Sequence, residues 1–236
     1  MKITTVFFDL DGTLLPMDQD VFVKTYFKLL AKKVAPLGYE PASLVDNIWA
    51  GTAAMVKNDG SRKNADAFWA QFSKTYGDKV YNDIPVFDEF YSNEFNLVKD
   101  VCGFDPLAKQ TVDSLKLKGV DTVLATNPIF PAVAVHSRLS WTGISPEDFT
   151  YITTYENSSF CKPNPKYYEE ILARIGKSPE ECLMVGNDVE EDMVAKTLGM
   201  KVFLLTNCIL NKKDRDISVY PNGDFEDLAK YLNTVI

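Results

Sequence analysis

The chain has 236 residues, of which 46% are hydrophobic and 25% are charged, a composition typical of a globular protein with enough apolar residues for a core. Its formal net charge of -8 argues against the basic face that contact with nucleic-acid phosphates requires. Because no apolar segment is long enough to span a bilayer and no signal-peptide pattern precedes the first apolar run, we expect a cytoplasmic protein that binds neither membrane nor nucleic acid.

The first predicted element is a buried strand, formed by an apolar and β-branched run from Ile3 to Phe8. Asp9 and Asp11 follow at the point where this strand should end, and Gly12 allows a tight turn there. Ligands of open α/β sheets bind beyond the carboxyl ends of the strands. Two carboxylates that leave water together are costly unless a cation compensates them, and Mg²⁺ takes one or two carboxylates plus waters and substrate phosphate.

Residues 16–100 show helical periodicity. The pattern predicts helices over 20–34, 41–56 and 64–76, and a fourth helix that holds Phe87, Phe90, Tyr91 and Phe95. Most of the aromatic residues in this block are explained by a small helical core. Periodicity does not distinguish those that pack in that core from those that face a substrate.

From residue 105 onward, strands alternate with helices, which predicts a parallel sheet covered on both faces. The predicted strands are 120–125, 149–154, 182–185 and 202–205. The predicted helices are 105–118, 131–139, 165–175, 190–198 and 225–235. The fold class expected is therefore α/β, a Rossmann-like parallel sheet with helices on both faces, interrupted by an all-helical insertion.

The run Asp9-Leu10-Asp11-Gly12-Thr13-Leu14 after an apolar strand resembles the first motif of the haloacid dehalogenase-like (HAD) hydrolase superfamily. Most members of that superfamily are Mg²⁺-dependent phosphatases. Three further matches follow in the order of the superfamily motifs: Thr126-Asn127 at a strand end, Lys162-Pro163, and Asn187-Asp188 with Asp192.

Each of these matches also has an ordinary structural explanation. Thr126-Asn127 alone would be a turn before Pro128, and a single lysine is usually solvated. Asp188, with Glu191 three residues later, resembles a helix-capping pattern. Capping does not explain why a third carboxylate lies at the sheet edge. Because all four motifs occur in the expected order, the resemblance to the superfamily is favoured over these separate explanations.

The resemblance implies a domain organisation. The helical block lies between the first and second motifs, as in the subgroup with an early helical (C1-type) cap. Residues 1–15 and 101–236 would then form the α/β catalytic core, and residues 16–100 the helical cap domain.

The resemblance also implies roles for the acidic residues. Asp9 would attack phosphorus and become an aspartyl phosphate, and Asp11 would act as general acid and base. Mg²⁺ would be held by Asp9, Asp188 and the backbone carbonyl of Asp11. Whether Asp188 alone or also the Asn187 amide oxygen reaches the metal stays open.

The remaining matched residues would handle the phosphoryl group. The oxygens of this group would be held by Thr126, Asn127 and Lys162. For Lys162, the attraction between an ammonium and a negative oxygen about 4 Å away is worth roughly 4 kcal/mol at an effective dielectric near 20. Asp192 would orient Lys162 or a metal-bound water.

The sequence is compatible with three functional hypotheses. The favoured one is a phosphatase that acts on a small-molecule phosphomonoester. The alternatives are a sugar phosphomutase, which transfers the phosphoryl group to a second hydroxyl, and a non-catalytic binding module on the same scaffold. The sequence does not indicate the substrate, the cap residues that contact it or the oligomeric state.

Overall fold

A computed structural model describes residues 2–236, so residue 1 of the predicted core lies outside the described residues. A six-stranded, all-parallel sheet lies at its centre, with the strands in the order β3-β2-β1-β4-β5-β6. The strands are β1 (Thr5–Phe8), β2 (Asp121–Leu124), β3 (Tyr151–Ile152), β4 (Cys182–Gly186), β5 (Lys201–Leu205) and β6 (Asn222–Gly223).

Eight α-helices accompany the strands in the described part of the chain: α1 (Gln19–Val34), α2 (Pro41–Val56), α3 (Asn64–Tyr76), α4 (Lys79–Ser92), α5 (Pro106–Leu117), α6 (Ala132–Trp141), α7 (Pro165–Ile175) and α8 (Phe225–Val235). Several begin where a carboxylate or amide accepts the free N–H groups of the first turn, as at Asp18, Asp105, Asn164 and Asp224. Within residues 2–236, no helix is long and apolar enough to cross a membrane.

The order of the strands determines where a ligand can bind. Strand β1 pairs with β2 on one side and with β4 on the other, so that Phe8 lies beside both Leu124 and Val185. The direction of strand succession reverses between β1 and β4. In an open parallel sheet the ligand crevice lies beyond the carboxyl ends of the strands at such a reversal. Asp9 and Asn187 directly follow these two strands.

Helices α1 to α4 and a 3₁₀ helix (Glu94–Val101) are inserted between β1 and α5. The two chain segments that lead into and out of this insertion lie side by side, since Met17 and Cys102 form an antiparallel bridge and the Gly103 N–H donates to Pro16 O across 2.7 Å. The insertion and one face of the sheet share a continuous apolar core.

A second set of contacts joins α3 to the loops that follow β2 and β3. Asn64, at the start of α3, is fully buried, and its amide donates to Pro128 O at 3.2 Å and Phe160 O at 3.3 Å. The Trp69 indole N–H donates to the Tyr155 hydroxyl across 3.3 Å. The insertion is therefore bound to the α/β part through polar contacts as well as through apolar packing.

The α/β fold with a parallel sheet and a helical insertion is confirmed. The predicted helix over 190–198 is wrong in type, because this segment is a turn followed by a 3₁₀ helix (Met193–Leu198). Asp192 Oδ2 accepts the Asp188 N–H and Asp192 Oδ1 pairs with Lys162 from another loop, so contacts inside and outside this segment fix its conformation. Phe95 lies in the 3₁₀ helix rather than in α4, which ends at Ser92.

Candidate active site

Asp9 stands at the carboxyl end of β1, where its N–H donates to Val185 O across 3.0 Å. Its carboxylate is nearly buried and accepts two hydrogen bonds. The Lys162 ammonium donates to Oδ1 at 2.8 Å, and the Thr13 hydroxyl donates to Oδ2 at 3.4 Å. One carboxylate oxygen therefore faces a cation brought from a different loop, 153 residues further along the chain.

Lys162 lies between two carboxylates. Its ammonium also donates to Asp192 Oδ1 at 2.6 Å, and both of these side chains are 1% exposed. Although burial alone would lower the pKa of Lys162, Asp192 and Asp9 raise this pKa well above its usual value. The pair is best described as ionised, because Asp192 Oδ2 also accepts the Asp188 N–H at 3.0 Å.

The approach of Asp192 to β4 requires a glycine on the strand. A Cβ atom built on Gly186 would overlap the Asp192 carboxylate. Any side chain at this position would displace Asp192 from Lys162. Gly186 therefore lets the buried ion pair form directly against the end of the strand.

Asp11 contacts a residue that the sequence motifs do not include. Arg138 on α6 is fully buried, and its Nη1 lies 2.5 Å from Asp11 Oδ2. The guanidinium lies 4.2 Å from the centre of the Phe130 ring, and its Nε donates to Ala134 O at 3.3 Å. Burial raises the pKa of Asp11, and the Arg138 charge opposes that rise. Asp11 Oδ1 and Arg138 Nη2 are both buried without a hydrogen-bond partner.

Thr126 and Asn127 follow β2 at the same edge of the sheet. The Thr126 carbonyl accepts from the hydroxyls of Thr153 at 2.7 Å and Tyr167 at 2.8 Å, which fixes the backbone here. The Asn127 side chain accepts from the Lys162 N–H at 3.3 Å and donates to Glu191 Oε2 at 3.0 Å. Burial raises the pKa of Glu191 to about 8.

Asn187 and Asp188 follow β4 and make different contacts. Asn187 Oδ1 accepts from the Thr13 hydroxyl at 3.1 Å, and its amide donates to Cys208 O at 2.7 Å. Gly12, with a φ of +82°, lies so close to the Asn187 amide that a Cβ atom would overlap it. Asp188 Oδ1 accepts the N–H groups of Glu190 at 2.7 Å and Glu191 at 2.9 Å, as the capping pattern predicts.

These side chains meet at one cavity of about 330 Å³ between the helical insertion and the sheet edge. Seven of the eight predicted site residues line it, namely Asp9, Asp11, Thr126, Asn127, Asn187, Asp188 and Asp192. The eighth, Lys162, contacts Asp9 from behind. The structure therefore brings all the sequence-predicted site residues together.

A divalent cation fits the residues at this edge. Asp9 and Asp188 line the cavity with their carboxylates, and Asp11, whose backbone carbonyl would complete the protein ligands, lines it as well. Among residues 2–236, no three His, Cys, Asp or Glu side chains form a ready-made metal cluster. Two carboxylates, a carbonyl and waters are the ligand set that Mg²⁺ commonly takes, whereas metals that need a complete protein cage do not fit.

Three residues with contacts in this site were not predicted to belong to it: Thr13, Arg138 and Glu191. Arg138 had a detectable signal, because it lies on the face of α6 that also carries Ala134, Val135 and Leu139, where a solvated arginine is not expected. Thr13 lies inside the first motif and contacts Asp9 four residues earlier, whereas the partner of Glu191, Asn127, lies 64 residues away, where local patterns do not indicate it.

The fold and the site define an α/β protein with a parallel sheet, whose candidate catalytic residues lie where the strand order reverses. A family model described as haloacid dehalogenase-like hydrolase matches residues 3–199. The chain therefore belongs to the haloacid dehalogenase-like hydrolases, and the prediction of that superfamily from the motifs is confirmed.

Individual proteins agree with this assignment. A glyceraldehyde 3-phosphate phosphatase of Methanothermobacter thermautotrophicus is 30% identical over 229 residues, covering 92% of this chain and 91% of the relative. The pyrophosphatase PpaX of Bacillus cereus is 26% identical over 208 residues, covering 85% and 82%. The crystal structure of an HAD phosphatase from Thermococcus onnurineus superposes with a TM-score of 0.60 at 20% identity, covers 98% of each chain, and shows the shared fold.

Proposed function

We propose that this hydrolase is a Mg²⁺-dependent phosphatase that hydrolyses a small-molecule phosphomonoester through an aspartyl phosphate on Asp9. The observation that carries the proposal is the 2.8 Å contact between Lys162 Nζ and Asp9 Oδ1 at the reversal between β1 and β4. The names of the related phosphatases support the same reaction class. The carboxylates that line the cavity would repel a phosphate dianion, so a cation has to be present for it to bind.

Asp9 is the proposed nucleophile. Oδ1 is engaged by Lys162 and Oδ2 only by a long hydrogen bond from Thr13, so Oδ2 is the oxygen freer to attack phosphorus. Attack forms the bond from Asp9 to phosphorus and breaks the bond from phosphorus to the ester oxygen, so the alcohol leaves.

Asp11 is the proposed general acid and base. It transfers a proton to the departing ester oxygen and then takes a proton from the water that hydrolyses the aspartyl phosphate. The raised pKa of its carboxyl supports the protonated state that the first step requires. After the second step the products are the alcohol and inorganic phosphate, and both aspartates return to their starting states.

The other residues hold the reacting groups. We propose that Lys162, the Thr126 hydroxyl and the backbone beside Asn127 hold the phosphoryl oxygens. When bound by Asp9, Asp188 and the Asp11 carbonyl, Mg²⁺ supplies positive charge that offsets the charge of the transferring group. Asp188 is favoured over Asn187 as the ligand, because both polar ends of the Asn187 amide are already hydrogen-bonded.

We also propose that residues 16–100 act as a cap over a core of residues 1–15 and 101–236. The cap would exclude water from the aspartyl phosphate and supply contacts to the organic part of the substrate. The paired segments at Pro16 and Gly103 support this division, since they confine the covalent connection to one narrow place.

The test is phosphate release by the purified protein from a panel of phosphomonoesters, with and without Mg²⁺. Asp9→Asn is the matched variant, because it keeps the shape and one acceptor oxygen for Lys162 but removes the nucleophilic carboxylate. We expect Mg²⁺-dependent release that disappears in Asp9→Asn while the far-ultraviolet circular dichroism is unchanged. Release that persists in Asp9→Asn would refute the nucleophile, and phosphoryl transfer to a sugar hydroxyl instead of water would favour the phosphomutase.

A further inference from the structure

The part of the cavity remote from Asp9 is lined by apolar and aromatic side chains from the helical insertion and from the loop after β2. Among them are Phe27, Trp49, Trp69, Tyr91 and Phe130. This region lies where the organic part of a phosphomonoester must extend once its phosphoryl group is at Asp9. Its chemistry therefore reports on the substrate, provided that the proposed phosphatase function holds.

The polar groups of four aromatic side chains in this wall are paired with one another. The hydroxyls of Tyr26 and Tyr91 lie 2.8 Å apart, and the Trp69 N–H donates to the Tyr155 hydroxyl. The Thr52 hydroxyl donates to its own helix at Ile48 O across 2.9 Å. A polyhydroxylated substrate would lose its hydrogen bonds to water in this cavity without finding equivalent ones.

The charges of the cavity exclude a second anionic group. Lys212, an exposed residue, is the single cationic side chain among the described residues that line it. Of the two buried cations nearby, Lys162 pairs with Asp9 and Asp192 and is assigned to the transferring phosphoryl group, and Arg138 pairs with Asp11, so neither is left for a second anion. The carboxylate on the insertion side is Asp88, whose pKa is raised by burial and by the Glu156 charge. A terminal phosphate or carboxylate on the insertion side would meet this negative group, whereas Lys212, the cation of the described lining, lies on the loop after β5.

We infer that the substrate is a phosphomonoester of an uncharged, largely apolar alcohol or phenol, and that polyol phosphates, nucleotides and pyrophosphate are poor substrates. The apolar group would displace water from the aromatic wall, which is the main favourable contribution to binding in pockets of this size. The inference differs from the substrates named for the two phosphatase relatives, which are small and polar.

Matched esters test this inference, because they have similar leaving groups and differ only in polarity. The pairs are n-propyl phosphate with glycerol 3-phosphate, and n-hexyl phosphate with sorbitol 6-phosphate, all assayed with Mg²⁺. We expect kcat/KM to rise about four-fold per added methylene until the cavity is filled, as hydrophobic transfer predicts. We also expect the apolar member of each pair to be preferred about ten-fold or more.

A variant of the wall locates the effect. Trp49→Ala removes a half-exposed ring that lines the cavity and whose centre lies 5.7 Å from the centre of the Phe27 ring. We therefore expect a larger loss of kcat/KM for n-hexyl phosphate than for n-propyl phosphate. Tyr81→Ala, which removes a similarly exposed ring outside the cavity, is the control and should change neither. Mg²⁺- and Asp9-dependent release with a preference for the polar esters would overturn this inference alone. No release from any ester would overturn the proposed function.

A separate observation assigns a role to Arg138. Its guanidinium contacts one oxygen of Asp11, packs against the Phe130 ring and donates a hydrogen bond to Ala134 O. These three contacts fix its position. Arg138 does not line the cavity in the described part of the chain and therefore does not contact substrate. We propose that Arg138 is a positioning residue that holds the Asp11 carboxyl toward the leaving oxygen.

Leaving-group dependence distinguishes positioning from a structural role. Proton transfer from Asp11 matters for a poor alkoxide leaving group and little for p-nitrophenolate. We therefore expect Arg138→Met to lose about ten-fold more kcat on n-hexyl phosphate than on p-nitrophenyl phosphate, and Arg138→Lys to show a smaller differential. Equal losses on the two esters would overturn the proposal. If Arg138→Met does not fold, Arg138→Lys decides alone, because equal losses in that variant are equally contradictory.

Discussion

The ammonium group of Lys162 lies 2.6 Å from the carboxylate of Asp192, and neither side chain is more than 1% exposed. Such a pair contributes little net stability when intact, since the desolvation of both charges offsets their attraction. Removing one partner is strongly destabilising, because the remaining charge stays buried without a partner. Lys162 therefore affects both the stability of the fold, through Asp192, and the geometry of the site, through Asp9.

Lys162→Met should destabilise the protein by about 3–5 kcal/mol, because it leaves Asp192 buried and unpaired. The measurement is the free energy of unfolding in urea. Lys213→Met is the control, since Lys213 pairs with Glu190 on the surface with its side chain 63% exposed, and such pairs contribute about 0–1 kcal/mol. Equal effects of the two substitutions would contradict the importance of the buried pair.

Removal of divalent cations with EDTA should abolish phosphate release, and added Mg²⁺ should restore it. Asp188→Asn should raise the Mg²⁺ concentration needed for half-maximal activity about ten-fold or more, because it removes a charged ligand. An asparagine still accepts the N–H groups of Glu190 and Glu191, so the turn should be preserved. Asp66→Asn, on the exposed side of α3, serves as the control. An unchanged Mg²⁺ requirement in Asp188→Asn would exclude Asp188 as a ligand.

Glu191 should make the stability of the metal-free protein fall as the pH rises. Burial raises its pKa in the folded state to about 8, above the 4.5 of an exposed glutamate. Its contribution is therefore fully present below pH 4.5 and is lost as the pH rises to about 8, with a slope of up to about 1.4 kcal/mol per pH unit. Unfolding in urea with EDTA should show this slope in the wild type and in the exposed control Glu180→Gln, and a reduced slope in Glu191→Gln.

Asn64→Ala should destabilise the protein by about 1–3 kcal/mol, because the carbonyls of Pro128 and Phe160 lose their buried donor. Asn233→Ala, at an exposed site on α8, should stay within about 0.5 kcal/mol of the wild type in the same urea titration. If Asn64 also holds the insertion against the loop after β2, hydrogen exchange of α3 should accelerate more than exchange of α8. Unchanged exchange in α3 would show that the amide stabilises only its own loop.

The sheet and most helices were predictable from sequence, because long periodic runs with clear ends specify them locally. The predicted helices 41–56, 64–76, 165–175 and 225–235 agree with α2, α3, α7 and α8 to the residue. The error at 190–198 has a non-local cause. Asp192 turns back toward Lys162, and the sequence around Asp192 does not contain that partner. Strand β6 was not predicted, because two residues carry no periodicity.

The candidate site was predictable for a different reason. Its residues follow the ends of strands, and parallel strands place those ends at one edge. The contacts behind the site were not predictable in this way. Arg138 reaches Asp11 from a helix 127 residues later, and Asn187 is held by Thr13 from 174 residues earlier. Such pairings depend on how the layers pack, which local spacing does not record.

The 2.7 Å hydrogen bond from Gly103 to Pro16 has a consequence for how this architecture can change over evolution. Because the entry and exit of the insertion are adjacent, the α/β part receives the chain back at almost the place where it left. An insertion of another length or shape can be exchanged at this junction while β1 and α5 keep their positions. On the proposed division into cap and core, the chemistry at Asp9 and the choice of substrate can be altered independently of each other.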